Sequence, residues 1–335
     1  MTDEAAMRRA LELASSVRAT TSPNPWVGAV VVTPDGRTFE GATEPPGGRH
    51  AEVVALRAAA DQARGATLYC TLEPCSHHGR TPPCVDAILD AGVTRVVAAI
   101  RDPDPHVRGE GLARLEAAGL DVEVGRCAEE AQALLAPYLK HRTTGRPWVV
   151  LKLAATLDGR TAAPDGTSQW ITGEQARADA HRLRAESDAV LVGAGTVRAD
   201  DPSLTVRLVD GRDPRRIVLG RAPAGARVHP ASEVEGDLEA VLDGLGGDGV
   251  VQLLVEGGAT VAHAFHAARL VDRYVLYLAP ALMGGDDGRA VFAGPGAPSI
   301  DDVWRGRIVA VDRLGADLKV ELETPRAEQV DGLVA

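Results

Sequence analysis

The chain has 335 residues, of which 45% are hydrophobic and 25% are charged, and its formal net charge is −11. This is a globular composition, and the length suits two domains. The acidic balance and the 3% of aromatic residues disfavour a nucleic-acid partner. No apolar run approaches the ~18 residues that a membrane helix needs, so no membrane partner is expected.

The first part of the chain alternates strand-like and helix-like segments. Met7, Leu11 and Ala14 recur at the spacing of one helix face in the amino-terminal segment. The turn sequence TPDG at 33–36 predicts a hairpin over 27–42. Apolar runs predict strands at 27–32, 66–71 and 94–100, and periodic runs predict helices at 51–64 and 83–92. This order predicts an α/β domain with a mixed sheet over residues 1–144.

The segment 140–148 is interpreted as the link to a second α/β domain over residues 145–325, followed by a tail at 326–335. An amphipathic helix is predicted at 174–187. Strands are predicted at 149–155, 189–193, 216–220, 250–258 and 273–280, with a last hairpin from 307–314 and 317–323.

The four cysteines raise the question of a metal site. The amino-terminal segment lacks a secretory signal pattern, so we expect a reducing, cytoplasmic location without disulfides. Cys70 falls in a predicted strand and is expected in the core, and Cys127 is expected to be structural. Cys75 and Cys84 are separated by eight residues, and both are placed at predicted helix N-termini, where the helix dipole favours a thiolate.

His50 and Glu52 open the first long predicted helix of the chain. His50, Cys75 and Cys84 are three good ligands for a tetrahedral zinc ion that keeps one position open for water. Such a site lowers the pKa of its water from 15.7 to roughly 7. Glu52 is then the expected proton shuttle between that water and a leaving amine.

Other interpretations of these residues stay open at this point. Cys75 and Cys84 could be small buried residues, and His50 a surface histidine. His77 and His78 could compete as zinc ligands, although contact with the substrate from a loop is the favoured role for them.

Seven motifs together resemble one family over roughly residues 1–325. They are TSPNPWVGAVVV, HAEVVALRAA, TLEPCSHHGRTPPC, LKLAATLDGRTA, SQWIT, GTVRADDPSLTVR and LLVEGGATVA. The chain resembles the bifunctional riboflavin-biosynthesis deaminase–reductases, whose long spacer between the cysteines differs from the C-x-x-C of other zinc deaminases. The resemblance implies a cytidine-deaminase-like three-layer α/β/α domain, followed by a dihydrofolate-reductase-like α/β domain.

The resemblance also implies roles for individual residues. Zinc would be held by His50, Cys75 and Cys84, with Glu52 as the proton shuttle and Asn24 against the pyrimidine. The implied NADPH contacts are Ala154, Trp170, Thr196, Asp200 and the run from Gly258 through Ala259 and Thr260 to Ala264. The implied substrate contacts are Ser168, Arg184, Leu204, Arg207 and Glu256. Arg184 and Arg207 suit the 5′-phosphate of the substrate, because a guanidinium binds phosphate through two donors.

The implied activity has two steps on a phosphorylated pyrimidine. The first is zinc-dependent hydrolytic deamination of 2,5-diamino-6-ribosylamino-4(3H)-pyrimidinone 5′-phosphate, and the second is NADPH-dependent reduction of the ribosyl to the ribityl chain. The alternative is a deaminase alone, with a degenerate second domain as scaffold or dimer contact. A homo-oligomer, dimer or tetramer, is expected by resemblance. Lys152 either serves the second active site or forms a structural ion pair.

One region departs from the family pattern. Residues 221–247 run directly into the strand at 250–258, where the family usually has a longer stretch containing another strand. We therefore expect part of the outer sheet to be missing. That expectation leaves the preference for NADPH over NADH, and the reductase activity itself, open.

Overall fold

The computed structural model describes residues 1–79, 81–104, 107 and 109–324. Within these limits the chain forms two compact units, one ending at Gly145 and the other beginning at Arg146. The predicted tail at 326–335 lies outside the described residues. None of the helices in the described parts of the chain is long and apolar enough to cross a membrane.

The first unit is built on a five-stranded mixed sheet. Its strands are β1 (Gly28–Val32), β2 (Thr38–Ala42), β3 (Thr67–Cys70), β4 (Arg95–Ala98) and β5 (Asp121–Val124). Its helices are α1 (Asp3–Ser16), α2 (Arg18–Thr21), α3 (Ala51–Ala59), α4 (Cys84–Ala91), α5 (Glu110–Ala117) and α6 (Ala128–Thr144). The strand order is β2-β1-β3-β4-β5, with β1 antiparallel to both its neighbours and β3, β4 and β5 parallel.

Helices cover both faces of this sheet, and two glycines mark where they approach it. A Cβ on Gly28 would lie 1.9 Å from the carbonyl oxygen of Ala10 in α1. A Cβ on Gly41 would lie 2.2 Å from the carbonyl oxygen of Ala51 in α3. Gly41 pairs with Ala29, the residue after Gly28, so the two glycines point to opposite faces of the pleat. The sheet is therefore the middle layer between α1 and α3.

The predicted elements of the first unit are confirmed, with one boundary changed. Met7, Leu11 and Ala14 are buried on the inner face of α1, and β1 and β2 form the predicted hairpin. The helix predicted at 51–64 ends as an α-helix at Ala59. It continues as a 3-10 turn from Ala60, which has a φ of 48° that breaks the α-helical path.

The second unit contains an eight-stranded sheet and a two-stranded ribbon. Its strands are β6 (Trp148–Thr156), β7 (Arg160–Ala162), β8 (Ala189–Gly193), β9 (Arg215–Leu219), β10 (Ser232–Val234), β11 (Gln252–Val255), β12 (Arg273–Ala279), β13 (Arg289–Ala290), β14 (Arg307–Leu314) and β15 (Asp317–Glu323). Its helices are α7 (Glu174–Ala185), α8 (Ala194–Asp200), α9 (Leu238–Gly247) and α10 (Ala259–Ala267). The large sheet has the order β10-β9-β8-β11-β6-β12-β15-β14.

Six neighbouring strands of this sheet, from β10 to β12, run parallel, and the predicted hairpin of β14 and β15 extends it in the antiparallel sense. All residues of β8 and β11 are buried, as expected for parallel strands covered on both faces. Parallel strands end on the same edge, so the segments after β8 and β11 lie side by side.

The expectation of a missing outer strand is wrong. Residues 232–234 form β10, which pairs in parallel with β9 and extends the sheet beyond it. The strand was not predicted because it is three residues long and begins with two exposed polar residues, Ser232 and Glu233. It therefore carries no apolar run for a sequence pattern to detect.

Candidate functional site

A candidate metal centre lies between α3 and α4 in the first unit. His50 is the N-cap of α3, Cys84 is the first residue of α4, and Cys75 lies in the loop after β3. His50 Nδ1 is 3.2 Å from Cys84 Sγ and 3.5 Å from Cys75 Sγ. Zinc bonds of about 2.1 Å to nitrogen and 2.3 Å to sulfur, at tetrahedral angles, require nitrogen–sulfur separations of about 3.5 Å. The three side chains therefore fit a zinc ion.

The prediction that both cysteines begin helices is correct for Cys84 and wrong for Cys75. The described residues of this segment, 75–79 and 81–83, lie outside any helix, and two successive prolines precede α4. The backbone N–H of Cys84 nevertheless donates to Cys75 Sγ at 3.4 Å. Cys75 thus receives the N-terminal donor of a helix to which it does not belong.

The charges of this centre depend on burial and on its own hydrogen bonds. The Cys84 thiol and the His50 ring hold the pKa of the Cys75 thiol well below its usual range. The bond to Cys75 raises the pKa of His50 to about 9. Glu52 is only 3% exposed, and this burial raises the pKa of its carboxyl. A carboxyl group with a raised pKa accepts a proton more readily than an ordinary carboxylate, as a proton shuttle must.

The metal centre opens into a cavity. Asn24 and His77, which were singled out from the sequence, line this cavity together with Asp102 and Tyr138, which were not. The Tyr138 hydroxyl donates to both carboxylate oxygens of Asp102, at 3.1 and 3.0 Å. Burial raises the pKa of Asp102 to about 7. Asp102 could have been found from the sequence because it comes shortly after the strand β4, whose end lies beside the loop that carries Cys75.

Glu73, the acidic residue of the EPC motif, organises the wall of this cavity. It is buried, and its carboxylate accepts four backbone N–H groups, from Asp102, Gly109, Gly111 and Leu112, at 3.1 to 3.3 Å. Asp102 and Gly109 lie between β4 and α5, and Gly111 and Leu112 lie in the first turn of α5. Glu73 therefore holds the segment that carries Asp102 against the cavity.

His77 and His78 are exposed in the loop after Cys75. Among the residues that the structure describes, the group of three or more metal-ligating side chains consists of His50, Cys75 and Cys84. Cys70 is fully buried in β3, as expected, whereas Cys127 is the half-buried N-cap of α6.

In the second unit, Thr196 and Gly258 come together at the carboxyl edge of the parallel strands. Thr196 follows β8 in α8, and Gly258 follows β11 as the N-cap of α10. The Gly258 N–H donates to Thr196 Oγ1 at 3.1 Å. Ala259 and Thr260 form the first turn of α10, whose free N–H groups suit a phosphate. Ala154 lies in β6, next to β11 in the sheet.

Arg184, Glu256 and Lys152 form a second cluster. Arg184 donates to both oxygens of Glu256, through Nε at 2.5 Å and Nη2 at 2.9 Å, and through Nη1 to the carbonyl of Thr205 at 3.2 Å. Lys152 Nζ lies 3.7 Å from Glu256. Burial by itself would raise the pKa of Glu256, but Arg184 and Lys152 outweigh burial and lower that pKa to about 2. Glu256 is therefore a carboxylate at neutral pH.

Arg207 is the exposed last residue of the segment 203–207, which lies next to Arg184. Its guanidinium donates to the hydroxyl of Ser203, and to that of Thr205 at 2.6 Å. Leu204, between these two residues, is buried and has a left-handed φ of 53°. The segment thus presents one guanidinium and two hydroxyl groups on the same side of a constrained turn.

Three further predicted residues lie outside these hydrogen-bonded groups. Trp170 is 70% exposed, with the guanidinium of Arg177 4.7 Å from its ring centre. Ser168 is half-buried in the same segment before α7. Asp200 is the exposed last residue of α8.

Fold and sites together are those of a zinc-type pyrimidine deaminase domain joined to a reductase-type α/β domain. The family model for the cytidine and deoxycytidylate deaminase zinc-binding region matches residues 1–100, and that for the RibD C-terminal domain matches residues 147–320. The chain belongs to the RibD family of riboflavin biosynthesis proteins.

Relatives match over nearly the whole chain. The riboflavin biosynthesis protein RibD of Escherichia coli (strain K12) is 41% identical, over 96% of this chain and 99% of that protein. RibD of Mycobacterium tuberculosis is 44% identical, over 95% and 96%. A structure of Acinetobacter baumannii RibD superposes with a TM-score of 0.90 at 39% identity, covering 97% of this chain and 99% of the other.

A second similar solved structure is that of a protein named for both activities. It is a Thermotoga maritima diaminohydroxyphosphoribosylaminopyrimidine deaminase/5-amino-6-(5-phosphoribosylamino)uracil reductase, with a TM-score of 0.88 at 36% identity. It covers 96% of this chain and 99% of its own length.

Replacement of Cys75 by Ser tests the metal centre. We expect the variant to lose the zinc ion, because three ligands already leave one position open and a serine hydroxyl replaces a thiolate. Cys127→Ser is the matched control and should retain about one zinc per chain, since Cys127 lies outside the cluster. The measurement is elemental analysis of both purified proteins, and full zinc in the Cys75 variant would contradict the assignment.

Replacement of Glu256 by Gln tests the buried ion pair. A pKa lowered from 4.5 to about 2 corresponds to about 3 kcal/mol of stability, which is present above pH ~4.5 and lost as the pH falls towards 2. The difference in unfolding free energy between wild type and variant should therefore shrink over this range in urea titrations. Glu239→Gln removes an exposed partner of Arg146 and should change little. A difference independent of pH would exclude the assigned pairing.

Proposed function

We propose that the chain is a bifunctional enzyme of riboflavin biosynthesis. Its first unit deaminates 2,5-diamino-6-ribosylamino-4(3H)-pyrimidinone 5′-phosphate, and its second unit reduces the ribosyl chain of the product to a ribityl chain. The observation that carries the proposal is the combination of a zinc-ligand triad around a buried Glu52 with a phosphate-binding edge in the second unit. Each arrangement suits one of the two steps.

In the deaminase unit, the residues around Glu52 divide the work of hydrolysis. Zinc, when bound by His50, Cys75 and Cys84, acidifies a water molecule. Glu52, whose pKa burial keeps raised, would accept a proton from the attacking water and release it to the leaving amine. Asn24, in the wall of the cavity, can both donate to and accept from the pyrimidinone edge.

In the reductase unit, Thr196 and the start of α10 hold the cofactor. NADPH, when bound, supplies the hydride. The backbone N–H groups at Ala259 and Thr260, in the first turn of α10, would hold its phosphates, and Gly258 is fixed beside them by its bond to Thr196. This placement follows the general rule that ligands of parallel α/β sheets bind at the carboxyl ends of the strands.

The substrate phosphate is assigned to Arg207 rather than equally to both arginines. The Arg184 side chain is 13% exposed, and its guanidinium already donates to Glu256 and to Thr205. Arg207 is exposed and has the hydroxyl groups of Ser203 and Thr205 beside it. Arg184 therefore orders the pocket, while Arg207 contacts the phosphate.

The choice of NADPH over NADH is assigned to Arg221. This residue comes two positions after β9, the strand next to β8, and its side chain is 84% exposed. Its ion pair with Glu235, at 3.3 Å, is a surface contact that a ligand phosphate can replace. A guanidinium in such a place accommodates the 2′-phosphate of NADPH.

The cytoplasm is the proposed compartment. Cys75 and Cys84 must be reduced to bind zinc, and in the structure they are free thiols. A reducing environment keeps them in that state.

Product analysis by mass spectrometry tests the two steps. The purified protein is given the diaminopyrimidinone substrate with and without NADPH. We expect the deaminated product in both samples and the deaminated, reduced product only with NADPH. Glu52→Gln should keep zinc and slow deamination by about 10²- to 10⁴-fold. Deaminated product alone in both wild-type samples would favour the alternative in which the second unit is a scaffold.

A homo-oligomer formed through β14 is part of the proposal. This strand is the edge of the large sheet, and Ile308 and Val311 on it are 60% and 57% exposed. An exposed apolar edge strand is a template for pairing with another chain. Light scattering should give at least twice the 35.0 kDa of one chain, and Val311→Lys should lower that mass. Ile300→Lys is the control outside the strand, and an unchanged mass in the Val311 variant would exclude this interface.

A further inference from the structure

We propose that His181 is a positioning residue of the reductase site, whose ring nitrogen Nδ1 fixes the backbone of Arg207 and so places the guanidinium that contacts the substrate phosphate. The inference rests on the function proposed for the second unit, and it assigns His181 no contact with the substrate.

The geometry of His181 connects two elements of the site. His181 is 6% exposed and lies in α7, three residues before Arg184 and on the same side of the helix. Its Nδ1 accepts the backbone N–H of Arg207 at 2.9 Å. Because Nδ1 is the acceptor, the proton of the neutral ring is on Nε2. A core histidine that only filled space would have no need of this bond to a segment 26 residues away.

The bond to His181 is one of three that hold the Arg207 segment. Arg184 donates to the carbonyl of Thr205, and the Val206 N–H donates to Asp213 at 2.7 Å. The backbone groups of Thr205, Val206 and Arg207 are therefore hydrogen-bonded to three different side chains. The left-handed backbone at Leu204 is unfavourable for a side chain with a Cβ and persists only where its surroundings hold it. Loss of one of these hydrogen bonds leaves the backbone of the segment that carries Arg207 less firmly held.

The charges around His181 keep it an acceptor. Burial lowers its pKa, and Arg184 and Arg207 lower it further, to about 4. Lys152 acts in the same direction, and the carboxylate of Glu256 in the opposite one. Arg184, Arg207 and Lys152 outnumber the carboxylates of Glu256 and Asp213 in this region, so its charge balance is positive, as a phosphate site requires. A protonated ring would point an N–H at the Arg207 N–H and break the bond.

The test compares His181→Leu with His181→Asn. Leucine has no acceptor, whereas the side-chain oxygen of asparagine can take the place of Nδ1. Steady-state reduction is measured with the deaminated phosphorylated substrate and with the same compound lacking its phosphate. We expect leucine to raise KM for the phosphorylated substrate about tenfold, the effect of one lost hydrogen bond, with kcat nearly unchanged. Asparagine should restore most of the affinity, and KM for the compound without phosphate should not change.

Several outcomes would overturn the proposal. An equal rise in KM for both compounds, or an asparagine variant as weak as leucine, would show that His181 is only structural. Deamination by the same chain, which uses other residues, reports whether the first unit is intact. If the leucine variant does not fold, His181→Gln replaces it. Its acceptor lies at the Nε2 position, so it should bind the phosphorylated substrate more weakly than the asparagine variant does.

Failure of the proposed function would be recognised separately. If the wild-type protein reduces neither compound, binding of inorganic phosphate to the full chain is measured by calorimetry. His181→Leu should then weaken phosphate binding about tenfold, and His181→Asn should not. Phosphate binding that is the same in wild type and both variants, or absent from the wild type, would overturn the role of His181.

Discussion

A charged group that leaves water is stable only when donors or opposite charges replace the water, and both candidate sites obey this constraint. Glu73 is buried because four backbone N–H groups point at its carboxylate. Glu256 is buried because Arg184 and Lys152 neutralise it. In each unit the buried carboxylate then holds a neighbouring segment of the candidate site in place through these hydrogen bonds and ion pairs.

These two carboxylates act differently on the residues near them. Glu73 binds backbone and therefore fixes the path of the segment carrying Asp102. Glu256 binds side chains and therefore fixes the orientation of Arg184, which in turn holds the carbonyl of Thr205. Burial raises the pKa of Glu52, and the opposing effect of His50 is smaller. Glu256 therefore stays ionised because cations compensate its burial, whereas Glu52 can transfer a proton.

The direction of the strands explains why distant residues meet. The ends of β3 and β4 bring Cys75 and Asp102 to one cavity in the first unit. The ends of β8 and β11 bring Thr196 and Gly258 together in the second. Parallel pairing produces this arrangement, because every strand ends on the same edge and each loop continues from it.

The type and order of most helices and strands, and the ligand types of the candidate metal centre, could be predicted from the residue pattern alone. Apolar periodicity is a local property, so α1, the β1–β2 hairpin and the β14–β15 hairpin were predictable. His50, Glu52, Cys75 and Cys84 were recognisable because short spacings within motifs are also local. The role of Cys75 as a loop residue and the existence of β10 were not, since neither has a periodic signal.

The role of each charged residue depends on its contacts in the folded chain. Arginines look alike in a sequence, yet the Arg184 side chain packs against Glu256 and is 13% exposed, while Arg207 is exposed. His181 gave no signal of its own in the sequence, because its partner Arg207 lies 26 residues away, and the bond of Asp102 to Tyr138 spans 36 residues. The physical reason is that pKa and hydrogen bonding depend on distances in space and on burial, which the folded chain sets and a local pattern does not contain.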